Sequence, residues 1–164
     1  MDIKNVQVYG LEESLIRSGY PMRTGEPIEL PINIVADEQS QTRGKKLAKV
    51  KTGTGHDNFL KGILIQFDLQ YPQYLTPQLQ RYSWIDIISS QSKMHKLTSN
   101  KNIGASCNGY VLESIIDTVN TLITDYNQAG QSEKQRFFQM VISNLPMGYE
   151  MWMGISTNYL QLKT

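Results

Sequence analysis

The segment PQLQRYSWIDIISSQSKMH, Pro77 to His95, mixes side chains that can do chemistry with side chains that pack. At the 3.6-residue period, Gln78, Arg81 and Ser92 fall in the same arc as Leu79, Tyr82, Ile85 and Ile88. A fixed cation and hydrogen-bonding groups on a face that should be dry need partners, because an unpaired buried charge is costly. One set of partners is structural, with Arg81 paired to a buried Asp or Glu and Gln78 capping a backbone group. The other is an anionic ligand or a neighbouring subunit at the point where the packing opens.

The remaining reactive types exclude several chemistries. His56 and His95 are the only histidines, and no carboxylate pair or cysteine accompanies them at metal-ligand spacing, so no metal site is expected. KTGTG, Lys51 to Gly55, lacks the Lys-Ser/Thr ending of a phosphate loop and reads as a flexible loop. There is no Gly-x-Ser-x-Gly elbow, and Cys107 stands in a polar loop with no histidine nearby in sequence. The basic run Arg43, Lys45, Lys46, Lys49, Lys51 carries no interleaved aromatics, so it reads as a solvated face and not as a nucleic-acid surface.

The elements that must position these residues follow from patterning. Ile3 to Leu11 alternates as a strand, and LEESLIRSG reads as a short helix ended by Gly19. Pro21 to Gln41, with three prolines, reads as an extended excursion, and Arg43 to Lys51 as a helix. Gly62 to Gln70 is the clearest strand. The segment from Pro77 reads as a helix, with Thr76 as N-cap and Pro77 in its first turn. VLESIIDTVNTLITDY carries a wide apolar stripe from Leu112 and Ile115 through Ile116, Val119, Leu122 and Ile123 to Tyr126. Ser132 to Gln135 resembles a capping box opening the next helix. GYEMWMGIST is a late strand, and NYLQLKT begins a final helix. The 164 residues, with 40% hydrophobic and 19% charged side chains, fit a single α/β (α+β) domain, 1–164. A net charge of +1 argues against bulk attraction to nucleic acid or anionic membrane. No apolar run approaches membrane-spanning length, the lone cysteine cannot form an internal disulfide, and nothing at the start resembles a signal peptide, so the expected location is cytoplasmic.

GHDNFLKGILIQF, Gly55 to Phe67, resembles the signature of the flavin-dependent thymidylate synthases, the ThyX family, in which G-H-x-T-P-F-E-H leads into a strand ending F-x-F. Gly55, His56 and Phe67 match without a gap, and Gln78 and Arg81 fall on the Gln and first Arg of the family's R-Q-x-x-R-H-R segment. NLPMGYEMWMGISTN, Asn144 to Asn158, is similar to the family's L-P strand, with Pro146 and Asn158 at the same separation. The resemblance spans about Arg43 to Thr164. It implies an antiparallel sheet flanked by helices, assembled as a homotetramer that binds FAD and dUMP between subunits. It also implies a site made of His56, Gln78, Arg81, Ser92, Lys93 and Asn158. Arg81 would neutralise phosphate, Gln78 would meet a base or flavin edge, and Asn158 a flavin or adenine edge. The structural alternatives are that His56 caps a turn and Asn158 a backbone group.

The sequence departs from the pattern at several positions. The family's second core His falls at Gly62, and the H-R after Arg81 is Tyr82-Ser83. The family's Ser falls at Gln91, with Ser92 one place on, and its following Arg falls at Lys93. An expected Arg after Asn158 is Leu160. These changes imply a degenerate catalytic motif. The resemblance therefore supports a divergent nucleotide- or flavin-binding protein related to dUMP methylation. A second reading is a non-catalytic protein that sequesters a signalling nucleotide or inhibits a host protein, as a phage counter-defence factor acting in the host cytoplasm would.

Overall fold

The computed structural model describes residues 1–163; Thr164, the last residue of the segment read as a final helix, lies outside the described residues. Strand β1 spans Asp2–Tyr9, β2 Leu64–Pro72, β3 Asp86–Ser90 and β4 Glu150–Asn158. The helices are α1 Leu11–Arg17, α2 Glu38–Ala48, α3 Thr76–Leu79, α4 Lys93–Lys96, α5 Glu113–Gln128, α6 Gln131–Asn144 and α7 Tyr159–Lys163. The strands form one antiparallel sheet in the order β1-β2-β4-β3, giving the mixed α/β architecture with flanking helices that the sequence led us to expect.

Strand β4 shows why the sheet forms. Met151, Met153, Ile155 and Thr157 are buried and alternate with half-buried neighbours, the period of a strand packed hard on one face. Its edges are both used. Gln73 and Tyr74, just after β2, donate backbone N–H groups to the carbonyls of Tyr149 and Met147. On the other side Gln91 donates to the carbonyl of Trp152, and the Thr157 hydroxyl donates to the carbonyl of Trp84 at 2.8 Å.

This second pairing corrects the reading of Pro77 to His95 as one helix. The segment is broken into α3, Thr76–Leu79, with Leu75 as N-cap and Thr76 already inside the helix, the strand Asp86–Ser90, and the start of α4 at Lys93. The β-branched pair Ile87-Ile88 and the unpaired edge of β4 outweigh the helical spacing. Tyr82 and Ile88 are exposed, so the apolar arc inferred from periodicity does not exist.

The described residues cluster into two compact units, Met1–Lys4 with Asp68–Ser83 and Ile87–Ile155, and Asn5–Phe67 with Trp84–Asp86 and residues 156–163. In the first, Ile116, Val119 and Ile123 of α5 and Val141 of α6 close on Leu97 and Ile103. The buried stripe of α5 is narrower than its pattern suggested: Leu112 is its exposed N-cap, and Ile115 is also exposed. Helix α6 begins after Gly130 with no side-chain cap, so Ser132 lies within the first turn and forms no capping box.

In the second unit Leu60, Ile63 and Leu160 form the core, joined by Ala48 and Phe59. Helix α2 starts earlier than its basic run, with the Asp37 carboxylate accepting from the Ser40 N–H at 2.7 Å. That hydrogen bond, with the Ser40 hydroxyl and the nearby Arg43 charge, holds the Asp37 carboxyl below its ordinary value. Arg43 is itself structural. Its guanidinium donates to the Leu15 carbonyl and to the hydroxyls of Ser18 and Ser40, tying α1 to α2. Lys45, Lys46, Lys49 and Lys51 are exposed.

Gly10 caps α1 with φ of 70°, and a Cβ there would lie 2.6 Å from the Gly62 carbonyl oxygen, which the backbone holds in place. Gly10→Ala is expected to lower unfolding free energy by about 1–3 kcal/mol in urea titration. Gly109→Ala, where added bulk meets nothing within 4 Å, is expected to stay within about 0.5 kcal/mol of the parent.

Candidate functional site

Four of the six residues expected at the site belong to the first unit. Gln78 and Arg81 stand on α3 and the turn after it, both exposed, with the Arg81 N–H donating to the Gln78 carbonyl at 3.1 Å. Among the described residues the Arg81 guanidinium has no ion-pair or hydrogen-bond partner, so the buried acid that a structural role would require is not there. Ser92 and Lys93 open α4 and line a cleft of about 360 Å³.

That cleft is the most built feature of the unit. Lys93, Lys96, Ser92, Ser99 and Asn100 surround it with donors, and buried Leu97 and Met151 give it an apolar floor. No carboxylate lines it among the described residues. The nearest acid in sequence, Glu150, is engaged by the Met1 ammonium at 3.3 Å. Lys93 is half-buried, and its ammonium donates to Gln73 Oε1 at 2.6 Å. A cleft with two ammonium groups, hydroxyls, an amide and no opposing charge suits an anion such as a phosphate monoester. Gln91 has a different task. Its N–H donates to the Trp152 carbonyl at 3.0 Å and its side-chain oxygen accepts from the Trp152 N–H at 3.1 Å, extending the β3–β4 pairing by one residue.

The other two expected residues belong to the second unit. His56 is exposed, beside the buried Asp57. Asn158 ends β4, and its side-chain oxygen accepts from the Gln161 N–H at 3.2 Å, so it caps the first turn of α7 as the structural alternative described. Asp57, only 1% exposed, is ion-paired with Lys163. Its carboxylate takes a charge-assisted hydrogen bond from Lys163, whose ammonium also donates to the Val50 carbonyl at 2.7 Å. Nothing in sequence pointed to Gln73, to Lys96 or to the Asp57–Lys163 pair, since each depends on partners brought together by the fold.

Gly62, where the family's second His would fall, packs against α1: a Cβ at that position would lie 2.5 Å from the Ser14 hydroxyl. Cys107 is half-buried, and burial, with the Glu150 charge, pushes its thiol above the ordinary range and away from nucleophilic use. Among the described residues no group of three or more His, Cys, Asp or Glu side chains is placed to hold a metal ion. Among the described residues no helix is long and apolar enough to cross a membrane.

This architecture is a ThyX-like fold. The chain is similar to thymidylate synthase X (ThyX) from Helicobacter pylori, solved with FAD and dUMP, with a TM-score of 0.66 at 10% identity over 99% of this chain and 80% of that one. A further H. pylori flavin-dependent thymidylate synthase ThyX structure, complexed with FAD and dUMP, gives 0.62 at 12% identity over 99% and 81% of the two chains. A UMP/dUMP methylase, PolB from Streptomyces cacaoi, bound with 5-Br dUMP, gives 0.55 at 12% identity over 96% and 74%. Identities this low make the likeness one of fold. No family model matches the sequence, and no curated protein matches it.

The Asp57–Lys163 pair makes stability pH-dependent. The Lys163 hydrogen bond outweighs burial and holds the Asp57 carboxyl below its ordinary value of 3.8. A depressed carboxyl contributes stability that is present above the unfolded-state value and is lost as pH falls through the folded one. The urea midpoint should therefore drop from about pH 4 downward. Asp57→Asn should lower the midpoint at pH 7 and flatten that acid dependence.

Proposed function

We propose that this chain is a nucleotide-binding protein of ThyX-like fold that seats the phosphate of a dUMP-like ligand in the cleft of Ser92, Lys93 and Lys96. The cleft's donor set, with two lysines and no carboxylate among the lining side chains, carries this reading. Support for a pyrimidine nucleotide comes from the structural neighbours, which were solved with dUMP or 5-Br dUMP. FAD is proposed as a second ligand on the same grounds, with the exposed and uncommitted Gln78 and Arg81 as its contacts. His56 and Asn158 are retained as proposed flavin-side residues, Asn158 with its capping hydrogen bond as competition. The flavin, when bound, would supply hydride-transfer chemistry.

Binding without turnover is the version the residues favour. Gln91 serves the strand pairing, and Gly62 faces Ser14 with no imidazole, so positions that carry the family's motif do other work here.

Mass spectrometry of whatever is released on denaturing the purified protein should show a nucleotide or flavin, and dUMP should raise the melting temperature. Lys93→Met should weaken dUMP binding by about ten- to a hundredfold, the worth of a charge-assisted hydrogen bond. Arg81→Ala should leave the urea midpoint unchanged while weakening FAD binding. A colourless, nucleotide-free protein with no thermal shift from FAD or dUMP would sink the proposal.

A homo-oligomer, a tetramer by the family resemblance, is part of the same proposal. Tyr110 is 93% exposed, and Tyr74, Leu112 and Met147 of the same unit are exposed as well, apolar side chains available to an interface between copies. Light scattering coupled to size exclusion should give a mass that is a multiple of 18.7 kDa; a monomer at micromolar concentration would remove this part.

A further inference from the structure

We infer that Gln73 is a positioning residue for the anion cleft, acting through Lys93. The inference rests on the reading of that cleft as a phosphate site and adds a residue that does not itself line it. Gln73 follows β2, is 9% exposed, and is fixed at both ends of its amide. Its oxygen accepts from the Lys93 ammonium at 2.6 Å, and its nitrogen donates to the Pro146 carbonyl at 3.4 Å. The carbonyl partner sets the amide's orientation, because a flipped amide would face the carbonyl with oxygen and the ammonium with nitrogen. The Gln73 backbone N–H is anchored as well, donating to the Tyr149 carbonyl at 3.1 Å.

The chemistry of the partner matters as much as its position. A carboxylate behind Lys93 would hold the side chain equally well but would cancel its charge toward the cleft. A neutral amide takes one ammonium proton and leaves the charge, with the remaining donors, for a ligand. A flexible lysine otherwise loses rotamer freedom when it meets an anion, and here that freedom is already restricted before the ligand arrives. The site is thus set up by a side chain twenty residues away in sequence.

The test is a double-mutant cycle on dUMP affinity by calorimetry, with inorganic phosphate as a second probe, on Gln73→Met, Gln73→Glu, Lys93→Met and the Gln73→Met/Lys93→Met pair. Expected are a loss of about fivefold for Gln73→Met and a larger loss, about tenfold or more, for Gln73→Glu. In the Lys93→Met background Gln73→Met should have no further effect. A role in folding alone would instead lower the urea midpoint and leave affinity per folded molecule unchanged, which overturns the inference. Additive losses, or a Gln73→Glu protein that binds dUMP as tightly as the parent, also overturn it. If the parent binds phosphate but not dUMP, and Gln73→Met weakens that binding, the inference stands while the nucleotide reading falls. If the parent binds neither probe, both fall.

Discussion

The structure depends on the demand that both edges of β4 be hydrogen-bonded. A strand with one buried face and no free edge must find a neighbour on either side, since an unmet backbone group out of water is costly. The end of β2 supplies one neighbour and β3 supplies the other. Gln73 leaves the first and Lys93 follows the second, so pairing to a common strand brings their side chains to 2.6 Å. The cleft is a consequence of strand register, and α4 with its lysines is placed by where β3 stops.

That dependence explains which parts of the molecule were legible in the sequence. Strand β4 and helix α5 announce themselves by period, because each buries one face over several residues, whereas β1 was legible from its alternation alone, since all of its residues are exposed. The segment after Pro77 does not announce itself in this way. Leu79, Tyr82, Ile85 and Ile88 have helical spacing, yet the free edge of β4 draws Asp86–Ser90 into the sheet, a tertiary demand that no local window contains. The oddity of Arg81 among apolar neighbours disappears with it, since that arc was never a dry face.

The site residues divide on the same physical ground. Ser92 and Lys93, taken from a motif, do line a cleft, whereas Asn158 is engaged in capping α7 and Arg43 of the basic run in joining α1 to α2. Gln73 carried no signal, because a glutamine after a Tyr-Pro strand end is an ordinary surface residue until the partner across the sheet is known. Asp57 was hidden in the same way. Its neighbour His56 drew attention by residue type, while the buried charge lay one position on.

Where a motif position differs from the ThyX pattern, the residue present often has a structural job that competes with ligand chemistry. Gln91 gives its oxygen to the Trp152 N–H, so that oxygen does not face the cleft freely as a serine hydroxyl would. Lysine at position 93 is the exception, since its ammonium still has donors to offer after meeting Gln73. An arginine there would present a planar fork with fixed donor directions, while lysine presents a compact charge that a single amide can aim. Lysine at this position therefore offers a charge without a bidentate grip.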